Sequence, residues 1–264
     1  MITGATQLTA VLGWPIAHSK SPQLLAAAFA ATGLDAVMVP AAVEPAHFAA
    51  AVHGLAALGA LGASVTAPHK LAAHALCDDL DDAARAIGAV NCLRFADGRI
   101  HGHNTDAGGF VDGLRDAGCD PRGATCVLLG AGGAARAVAH GLREAGAAQL
   151  QVVARRPADW VASLPWSDLP DALGHADLIV DCLPADNEAG AAEVLGRTSR
   201  APTVASLVYH VCPALLARAR SLGLPTVDGA GMLAHQAARA FTLWTGRPAP
   251  IEAMRSVLGT HSAT

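Results

Sequence analysis

Short apolar runs alternate with alanine-rich segments of helical period along almost the whole chain, and this alternation constrains the fold most. Strands are predicted at 8–13, 36–39, 62–65, 126–129, 150–154, 178–181 and 203–207. Continuous apolar strands separated by helices are typical of parallel sheets whose two faces are both covered. The pattern therefore predicts an α/β protein.

A glycine-rich turn lies between a predicted strand and a predicted helix, in the segment 125–136 (TCVLLGAGGAAR). Glycines at such a junction let the backbone approach a pyrophosphate, whose charge the helix N-terminus stabilises. The same glycines also occur in ordinary loops. Because this turn joins a strand to a helix, it favours dinucleotide binding.

The next predicted strand ends in two adjacent arginines, Arg155 and Arg156. Sites for NAD usually carry Asp or Glu at this point, which accepts hydrogen bonds from the ribose hydroxyls. Two guanidinium groups would instead bind the 2′-phosphate of NADP. A solvated basic pair is the alternative interpretation. We expect NADP as the cofactor, with NAD less favoured.

The length of 264 residues suits two domains better than one. A connector rich in turn residues, 118–123 (GCDPRG), precedes the strand of the glycine-rich turn. We predict an N-terminal α/β domain of residues 1–105 with a mixed, mainly parallel sheet. A Rossmann-like dinucleotide-binding domain is predicted at 106–235.

Composition and charge exclude several classes of function. The formal net charge is −4 and 15% of the residues are charged, so no basic face for nucleic acid is expected. No apolar run reaches the ~18 residues of a membrane span, and no signal-peptide pattern begins the chain. The six cysteines are scattered without a CxxC pair, as in reduced cytoplasmic proteins. We expect a cytoplasmic protein without nucleic-acid or membrane partners, for which a homodimer is possible.

Two serines flank a lysine at the start of the first predicted helix, in the order Ser19, Lys20, Ser21. Their hydroxyls and the free N–H groups of a helix start are suited to binding a carboxylate. The plainer interpretation is that Ser21 is only the N-cap of the helix, followed by a proline at the first helical position. Both interpretations stay open on the residues alone.

Thr66 and Lys70 directly follow the predicted strand 62–65. Ligands of open α/β sheets bind at the carboxyl ends of strands, although a lysine there is also commonly a solvated surface group. His101 and His103 have metal-like spacing but no acidic or cysteine partner at ligand spacing in the sequence. No metal is therefore expected.

Five segments resemble, in order, the characteristic elements of the shikimate dehydrogenase family. They are 13–22 (GWPIAHSKSP), 64–70 (SVTAPHK), 88–91 (GAVN), 102–106 (GHNTD) and 229–237 (GAGMLAHQA). The family elements are G-x-P-I-x-H-S-x-S-P, N-V-T-x-P-x-K, G-A-V-N-T, G-x-N-T-D and G-x-x-M-L-x-x-Q-A. Their common order along most of the chain makes the resemblance far more specific than any single element.

The resemblance implies which residues act. Lys70 and Asp106 would be the catalytic pair. Substrate contacts are implied for Ser19, Ser21, Thr66, Lys70, Asn91, Asp106, Tyr209 and Gln236. Cofactor contacts are implied for Gly130, Ala131, Gly132, Gly133, Ala134, Arg155, Arg156, Leu207 and Gly229. The resemblance also implies that the helices of 236–264 rejoin the first domain. The first domain would bind a small-molecule substrate and the second would bind NADP.

The activity implied by the resemblance is the reversible NADPH-dependent reduction of 3-dehydroshikimate to shikimate, a step of chorismate and aromatic amino acid biosynthesis. Lys70, as an ammonium held against Asp106, would donate the proton. A quinate or aminoshikimate dehydrogenase stays open as an alternative. So does a non-catalytic relative that senses shikimate.

The chain departs from the family pattern at several positions. Ser64 stands in place of Asn, Leu25 in place of His, and Ala154 in place of the Asn of an N-R-[TS] element. The segments 181–184 (DCLP) and 209–213 (YHVCP) differ from the N-A-T-P and Y-x-P elements. Because the last two would lie near the nicotinamide, they bear on turnover more than on binding.

Overall fold

The computed structural model describes residues 2–183, 190–196 and 200–259. The chain forms two units, of which unit 1 comprises Met1–Thr105 and Ala234–Thr264, and unit 2 comprises Asp106–Leu233. Each unit contains its own sheet. The boundaries between the units fall inside or at the start of helices, so the chain crosses them without a long linker.

The elements in the described ranges are as follows. The strands are β1 (Gln7–Gly13), β2 (Ala36–Ala42), β3 (Gly62–Val65), β4 (Asp79–Leu80), β5 (Cys92–Ala96), β6 (Arg99–His103), β7 (Thr125–Leu129), β8 (Gln149–Ala154), β9 (Leu164–Pro165), β10 (Leu178–Asp181), β11 (Thr203–Ser206) and β12 (Thr226–Val227). The helices are α1 (Ser21–Thr32), α2 (Phe48–Ala57), α3 (Lys70–Leu76), α4 (Asp82–Ile87), α5 (Thr105–Asp116), α6 (Gly133–Glu144), α7 (Leu169–Gly174), α8 (Ala191–Leu195), α9 (Ala214–Ser221), α10 (Gly229–Thr245) and α11 (Ile251–Ser256).

The sheet of unit 1 is mixed, with the strand order β2-β1-β3-β5-β6-β4. β1 pairs in parallel with β2 and β3, whereas β5 runs antiparallel to β3 and β6. The carboxyl ends of β1, β3 and β6 therefore share one edge with the amino end of β5. We call this the carboxyl edge of unit 1, because it carries the loops that follow β1, β3 and β6.

The C-terminal half of α10 packs within unit 1, next to the central strands. Phe241 lies with its ring centroid 5.9 Å from that of Phe29 in α1. The indole N–H of Trp244 donates to the carbonyl of Leu93 in β5 at 2.8 Å. Gly62 of β3 lies beneath this contact, where a side chain would meet both Leu93 and Trp244.

The sheet of unit 2 is parallel throughout the described residues, in the order β12-β11-β10-β7-β8-β9. Successive side chains of each strand point to opposite faces, and both faces are apolar. Val127 and Leu129 of β7 lie in one buried cluster with α7, α8 and α9. Cys126 and Leu128 lie in the other, with α5 and α6. Burial on both faces explains why these strands are continuous apolar runs.

The predicted α/β class, with a mixed first sheet and a parallel Rossmann-like second sheet, is confirmed. All of the predicted strands are present as β1, β2, β3, β7, β8, β10 and β11. The described residues contain no helix that is both long and apolar enough to cross a membrane.

The interpretation of Ser21 as the N-cap of the first helix is wrong. Lys20 is the N-cap of α1 and makes no side-chain capping bond, while Ser21 is already helical. The hydroxyl of Ser19 instead accepts the N–H of Ser21 at 3.3 Å. The helix therefore begins one residue earlier, and its first N–H is satisfied by the serine two residues before it.

Gly62→Ala should destabilise the protein, because the new methyl group would lie against the Leu93 carbonyl and the Trp244 indole. Overpacking of this kind costs about 1–3 kcal/mol of unfolding free energy. Gly54→Ala is the matched control, since Gly54 is exposed in α2 with no neighbouring atom within 4 Å. There the same methyl should stabilise by about 0.5–1 kcal/mol. Thermal unfolding followed by circular dichroism measures both, and an unchanged midpoint for Gly62→Ala would contradict this packing.

Candidate active site

The loops that follow β1 and β3 lie side by side at the carboxyl edge of unit 1. A Cβ on Gly13 would lie 2.5 Å from Cγ2 of Thr66 and 2.8 Å from Cδ1 of Ile16, so glycine permits this close approach. The N–H of Trp14 donates to the carbonyl of Ala67 at 3.1 Å. Thr66, a predicted substrate contact, is thereby held next to the loop that leads to the two serines.

Ser19 and Ser21 are brought together at the start of α1. Their bond, from the N–H of Ser21 to the hydroxyl oxygen of Ser19, leaves both hydroxyl hydrogens able to donate. Ser21 is buried and Ser19 is half-buried. Two hydroxyl donors at one helix start can bind the two oxygens of one carboxylate.

A backbone hydrogen bond links Lys70 to Val90, the residue that precedes Asn91. Lys70 is the first residue of α3, and its carbonyl accepts the N–H of Val90 at 3.0 Å. Asn91 follows and is 3% exposed. Its amide N–H donates to Oγ1 of Thr105 at 3.0 Å, and its Oδ1 accepts the backbone N–H of Thr105 at 2.7 Å. One short segment thus anchors both α3 and the start of α5.

Asp106 is the first residue of unit 2 and lies in the first turn of α5. It follows Thr105 directly, and consecutive Cα atoms are about 3.8 Å apart. Its backbone is therefore fixed beside the bond between Thr105 and Asn91 by covalent geometry. The amide of Asn104 extends the same anchoring by donating to the carbonyl of Ala89 at 2.9 Å.

Gln236 and Tyr209, the remaining predicted substrate contacts, belong to different units. Gln236 is half-buried in the part of α10 assigned to unit 1. Tyr209 follows β11 in unit 2, where burial raises the pKa of its hydroxyl. A phenol with a raised pKa stays protonated at neutral pH and can donate a hydrogen bond.

An acidic residue that the sequence analysis missed supports the carboxyl edge. Oδ1 of Asp81 accepts the N–H of Ala84 at 2.6 Å and caps α4, while Oδ2 lies 3.1 Å from Nδ1 of His103. His101 pairs with Asp79 in the same way, at 2.7 Å. The helix-start pattern after Asp81 was the available signal. In the described ranges no cluster of three or more His, Cys, Asp or Glu could hold a metal.

The glycine-rich turn of unit 2 connects β7 to α6 with an open surface. Gly130 has a φ of +98°, which favours glycine, and its N–H donates to the carbonyl of Val153 at 2.8 Å. Gly132 is the N-cap of α6 without a side-chain capping bond. Gly132, Gly133 and Ala134 are exposed, and no atom lies within 4 Å of a Cβ built on either glycine. This turn fits a pyrophosphate bound at the start of α6.

The two predicted arginines follow β8, which pairs in parallel with β7, so they share the edge of the glycine-rich turn. Arg155 and Arg156 are exposed. The guanidinium carbon of Arg155 lies 5.6 Å from the ring centroid of Trp166. The indole N–H of Trp160 donates to the carbonyl of Ala131 at 3.0 Å. Two cations at the edge that carries the glycine-rich turn match the charge of NADP. The two tryptophans were missed by sequence reasoning.

Leu207 and Gly229, the last two predicted cofactor contacts, are adjacent in unit 2. A Cβ on Gly229 would collide with the carbonyl of Leu207, so only glycine fits. The N–H of Gly229 donates to the carbonyl of Val208 at 3.1 Å. The loop after β11 is therefore packed tightly on the start of α10.

A buried carboxylate joins the ends of β10 and β11. Asp181 is 0% exposed, and its oxygens accept the N–H of Leu183 at 3.0 Å and the hydroxyl of Ser206 at 3.3 Å. The Ser206 oxygen in turn accepts the N–H of Val208 at 3.2 Å. Burial and the nearby Asp181 raise the pKa of the Cys182 thiol. Pro184, which ends this altered segment, lies outside the described residues.

Asp181→Ala should lower the free energy of unfolding by about 1–3 kcal/mol, because it leaves buried donors without their acceptor. Asp181→Asn keeps one acceptor oxygen in a side chain of the same size, so its loss should be smaller. Urea unfolding of the two variants measures the difference. Equal stability of the Ala variant and the unchanged chain would show that this carboxylate does not hold the loops.

Two family models match the chain. One, described as the shikimate dehydrogenase substrate binding domain, matches residues 11–93. The other, described as the shikimate 5'-dehydrogenase C-terminal domain, matches residues 229–258. The first contains the loops after β1 and β3 together with Asn91, and the second contains Gly229 and Gln236.

Relatives and solved structures match nearly the whole chain. Shikimate dehydrogenase (NADP(+)) of Rhodospirillum rubrum is 42% identical over 281 residues, covering 98% of this chain and 99% of the relative. The crystal structure of shikimate 5-dehydrogenase from Thermus thermophilus, in complex with NADP(H) and shikimate, has a TM-score of 0.86 at 32% identity, covering 96% of this chain and 98% of that one. A 5-ketofructose reductase of Gluconobacter sp. strain CHM43 has a TM-score of 0.82 at 29% identity, covering 97% of this chain and 99% of that one. With 42% identity over almost its full length, the chain belongs to the shikimate dehydrogenase family.

Proposed function

We propose that this chain is an NADP-dependent oxidoreductase that catalyses the reversible reduction of 3-dehydroshikimate to shikimate, a step of chorismate and aromatic amino acid biosynthesis. The observation that carries the proposal is the full-length similarity, 42% identity, to a relative named for this activity. The polar residues gathered at the carboxyl edge of unit 1 and the glycine-rich turn of unit 2 agree with it.

Substrate binding is assigned to the carboxyl edge of unit 1. Ser19 and Ser21 would bind the carboxylate, because both lie at the start of α1, where the N–H of Ser21 is bonded to the hydroxyl of Ser19. Thr66, Asn91 and Gln236 would read the ring hydroxyls. Asp106 and Tyr209 are carried over from the family resemblance as further substrate contacts. Buried polar groups that a wrong ligand leaves unpaired give strong discrimination between substrates.

The cofactor residues are assigned to unit 2. The turn Gly130, Ala131, Gly132, Gly133 and Ala134 would hold the pyrophosphate, and Arg155 and Arg156 would bind the 2′-phosphate. Leu207 and Gly229 would lie on the nicotinamide side. NADP is the proposed cofactor, since a relative 42% identical to this chain carries it in its name and the strand end after β8 bears cations rather than a carboxylate.

Lys70 and Asp106 are the proposed catalytic pair. When bound, NADPH supplies the hydride that reduces the ring ketone carbon. Lys70 donates a proton to the ketone oxygen as that oxygen gains negative charge, so the carbonyl becomes an alcohol. Asp106 accepts a hydrogen bond from a ring hydroxyl and fixes the orientation of the reacting group. The carbonyl of Lys70 accepts the N–H of Val90, and Asp106 follows Thr105, whose side chain and N–H are bonded to Asn91.

Two kinds of alternative stay open: an enzyme that acts on a related substrate, and a relative that binds its ligands without catalysis. Quinate and aminoshikimate share the carboxylate and the hydroxylated ring, and the 5-ketofructose reductase shows that this fold also occurs in a protein named for another hydroxylated ketone. A non-catalytic relative that senses shikimate would bind NADP+ without oxidising shikimate. The altered segments 181–184 and 209–213 are the only support for this last alternative.

We propose a cytoplasmic location. The six cysteines, all within the described residues, form no disulfide, as is usual in a reducing compartment. Burial raises the pKa of Cys77 and Cys126 to about 12, so neither thiol is reactive at neutral pH. The expectation of a homodimer stays a prediction, which light scattering of the purified chain tests.

Initial rates should be highest for shikimate with NADP+. The comparison uses shikimate and quinate with NADP+ and with NAD+, followed by absorbance of the reduced nicotinamide, together with NADPH-dependent reduction of 5-ketofructose. A larger kcat/KM for quinate or 5-ketofructose would replace the proposed substrate. Tight NADP+ binding without any turnover would indicate the sensing alternative.

Lys70→Ala should lower kcat by about 10²- to 10⁴-fold with little change in KM, because the proton donor is lost while the binding groups remain. Lys70→Met keeps the aliphatic stem and should show the same loss. The control is Arg85→Ala, which removes a cation from the exposed surface of α4 and should leave kcat unchanged. Near-normal kcat in both Lys70 variants would disprove the proton-donor role.

A further inference from the structure

Arg155 is placed against an aromatic ring by the register of a very short strand. β9 has two residues and runs parallel to β8, with Val153 opposite Leu164 and Ala154 opposite Pro165. Arg155 directly follows β8 and Trp166 directly follows β9, so the two side chains leave the sheet as neighbours. The guanidinium carbon lies 5.6 Å from the indole centroid, within the range of a cation–π contact.

A second tryptophan, in the segment 155–163 between β8 and β9, is hydrogen-bonded to the glycine-rich turn. The indole N–H of Trp160 donates to the carbonyl of Ala131 at 3.0 Å. The segment between β8 and β9 is therefore bonded to the turn through Trp160 and to the sheet through β9. Arg155 begins this segment, and Trp166 directly follows β9.

A long arginine side chain loses rotamer freedom when it binds a phosphate. Stacking on an aromatic face before the ligand arrives lowers that loss, and the planar guanidinium can still present its edge N–H groups to phosphate oxygens. NAD has no 2′-phosphate, so a contact that orients Arg155 for this group would give NAD no advantage. Orientation of Arg155 is thus a source of selectivity between the two cofactors.

We infer that Trp166 is a positioning residue that sets the preference for NADP over NAD by holding the guanidinium of Arg155 for the 2′-phosphate. This inference rests on the assignment of Arg155 to the cofactor site in the proposed function. Trp160 has a different role, because its partner is the turn that would bind the pyrophosphate common to both cofactors.

Binding of NADP+ and of NAD+ to the purified full-length chain, measured by isothermal titration calorimetry, tests the inference without any turnover. Trp166→Leu should weaken NADP+ binding by about 2–5-fold, the equivalent of an exposed cation–π contact, and leave NAD+ binding unchanged. Trp166→Phe, which keeps an aromatic face, should retain most of the NADP+ affinity. Trp160→Leu is the matched control and should weaken both cofactors to a similar extent.

A double-mutant cycle separates positioning from general damage. In an Arg155→Leu background, Trp166→Leu should cause no further loss of NADP+ affinity, because the two residues act as one unit. Equal weakening of NADP+ and NAD+ by Trp166→Leu, or an undiminished effect without Arg155, would overturn the inference. If shikimate is not oxidised at all, the proposed reaction fails, but the ratio of the two binding constants still decides the role of Trp166.

Discussion

The proposed active site depends most on the hydrogen bonds between the buried side chain of Asn91 and Thr105. The nitrogen of its side-chain amide donates to Oγ1 of Thr105 at 3.0 Å, and the oxygen accepts the backbone N–H of Thr105 at 2.7 Å. Removing one partner of a buried hydrogen bond lowers the free energy of unfolding more than removing a surface bond does, because the other partner is left without water. Since Asn91 precedes β5 and Thr105 begins α5, this pair fixes the point at which the chain leaves unit 1. The proposed proton donor and the proposed carboxylate both have their backbones attached there.

The direction of β5 is what brings Asn91 to this place. A parallel β5 would have carried its first residue to the opposite edge of the sheet. The antiparallel pairing, with Ser64 opposite Cys92, puts the start of β5 beside the end of β3. Residues that lie far apart in the sequence, from Ser19 to Thr105, therefore share one edge. The strand order, and not proximity in the sequence, assembles this part of the site.

The sequence predicted the bounds of the fully buried strands best, and it missed several strands that are half exposed or very short. The predicted segments 62–65 and 178–181 have the bounds found for β3 and β10, because every residue of both strands is buried and the apolar run has sharp ends. β6 (Arg99–His103) alternates buried and more exposed residues and carries an arginine and two histidines, so it lacks a continuous apolar run. β9 and β12 have two residues each, which is too short for any period to appear.

The same limit separates the predicted site residues from those that support them. The family resemblance named Arg155, but no pattern in the sequence indicated that Trp166 lies beside it. That neighbourhood depends on Ala154 standing opposite Pro165. A slip of one residue would turn Trp166 to the other face of the sheet, because side chains alternate along a strand. A side-chain contact that depends on the register of a two-residue strand follows from the tertiary structure, so cofactor preference can differ between relatives whose glycine-rich turns and arginines are the same.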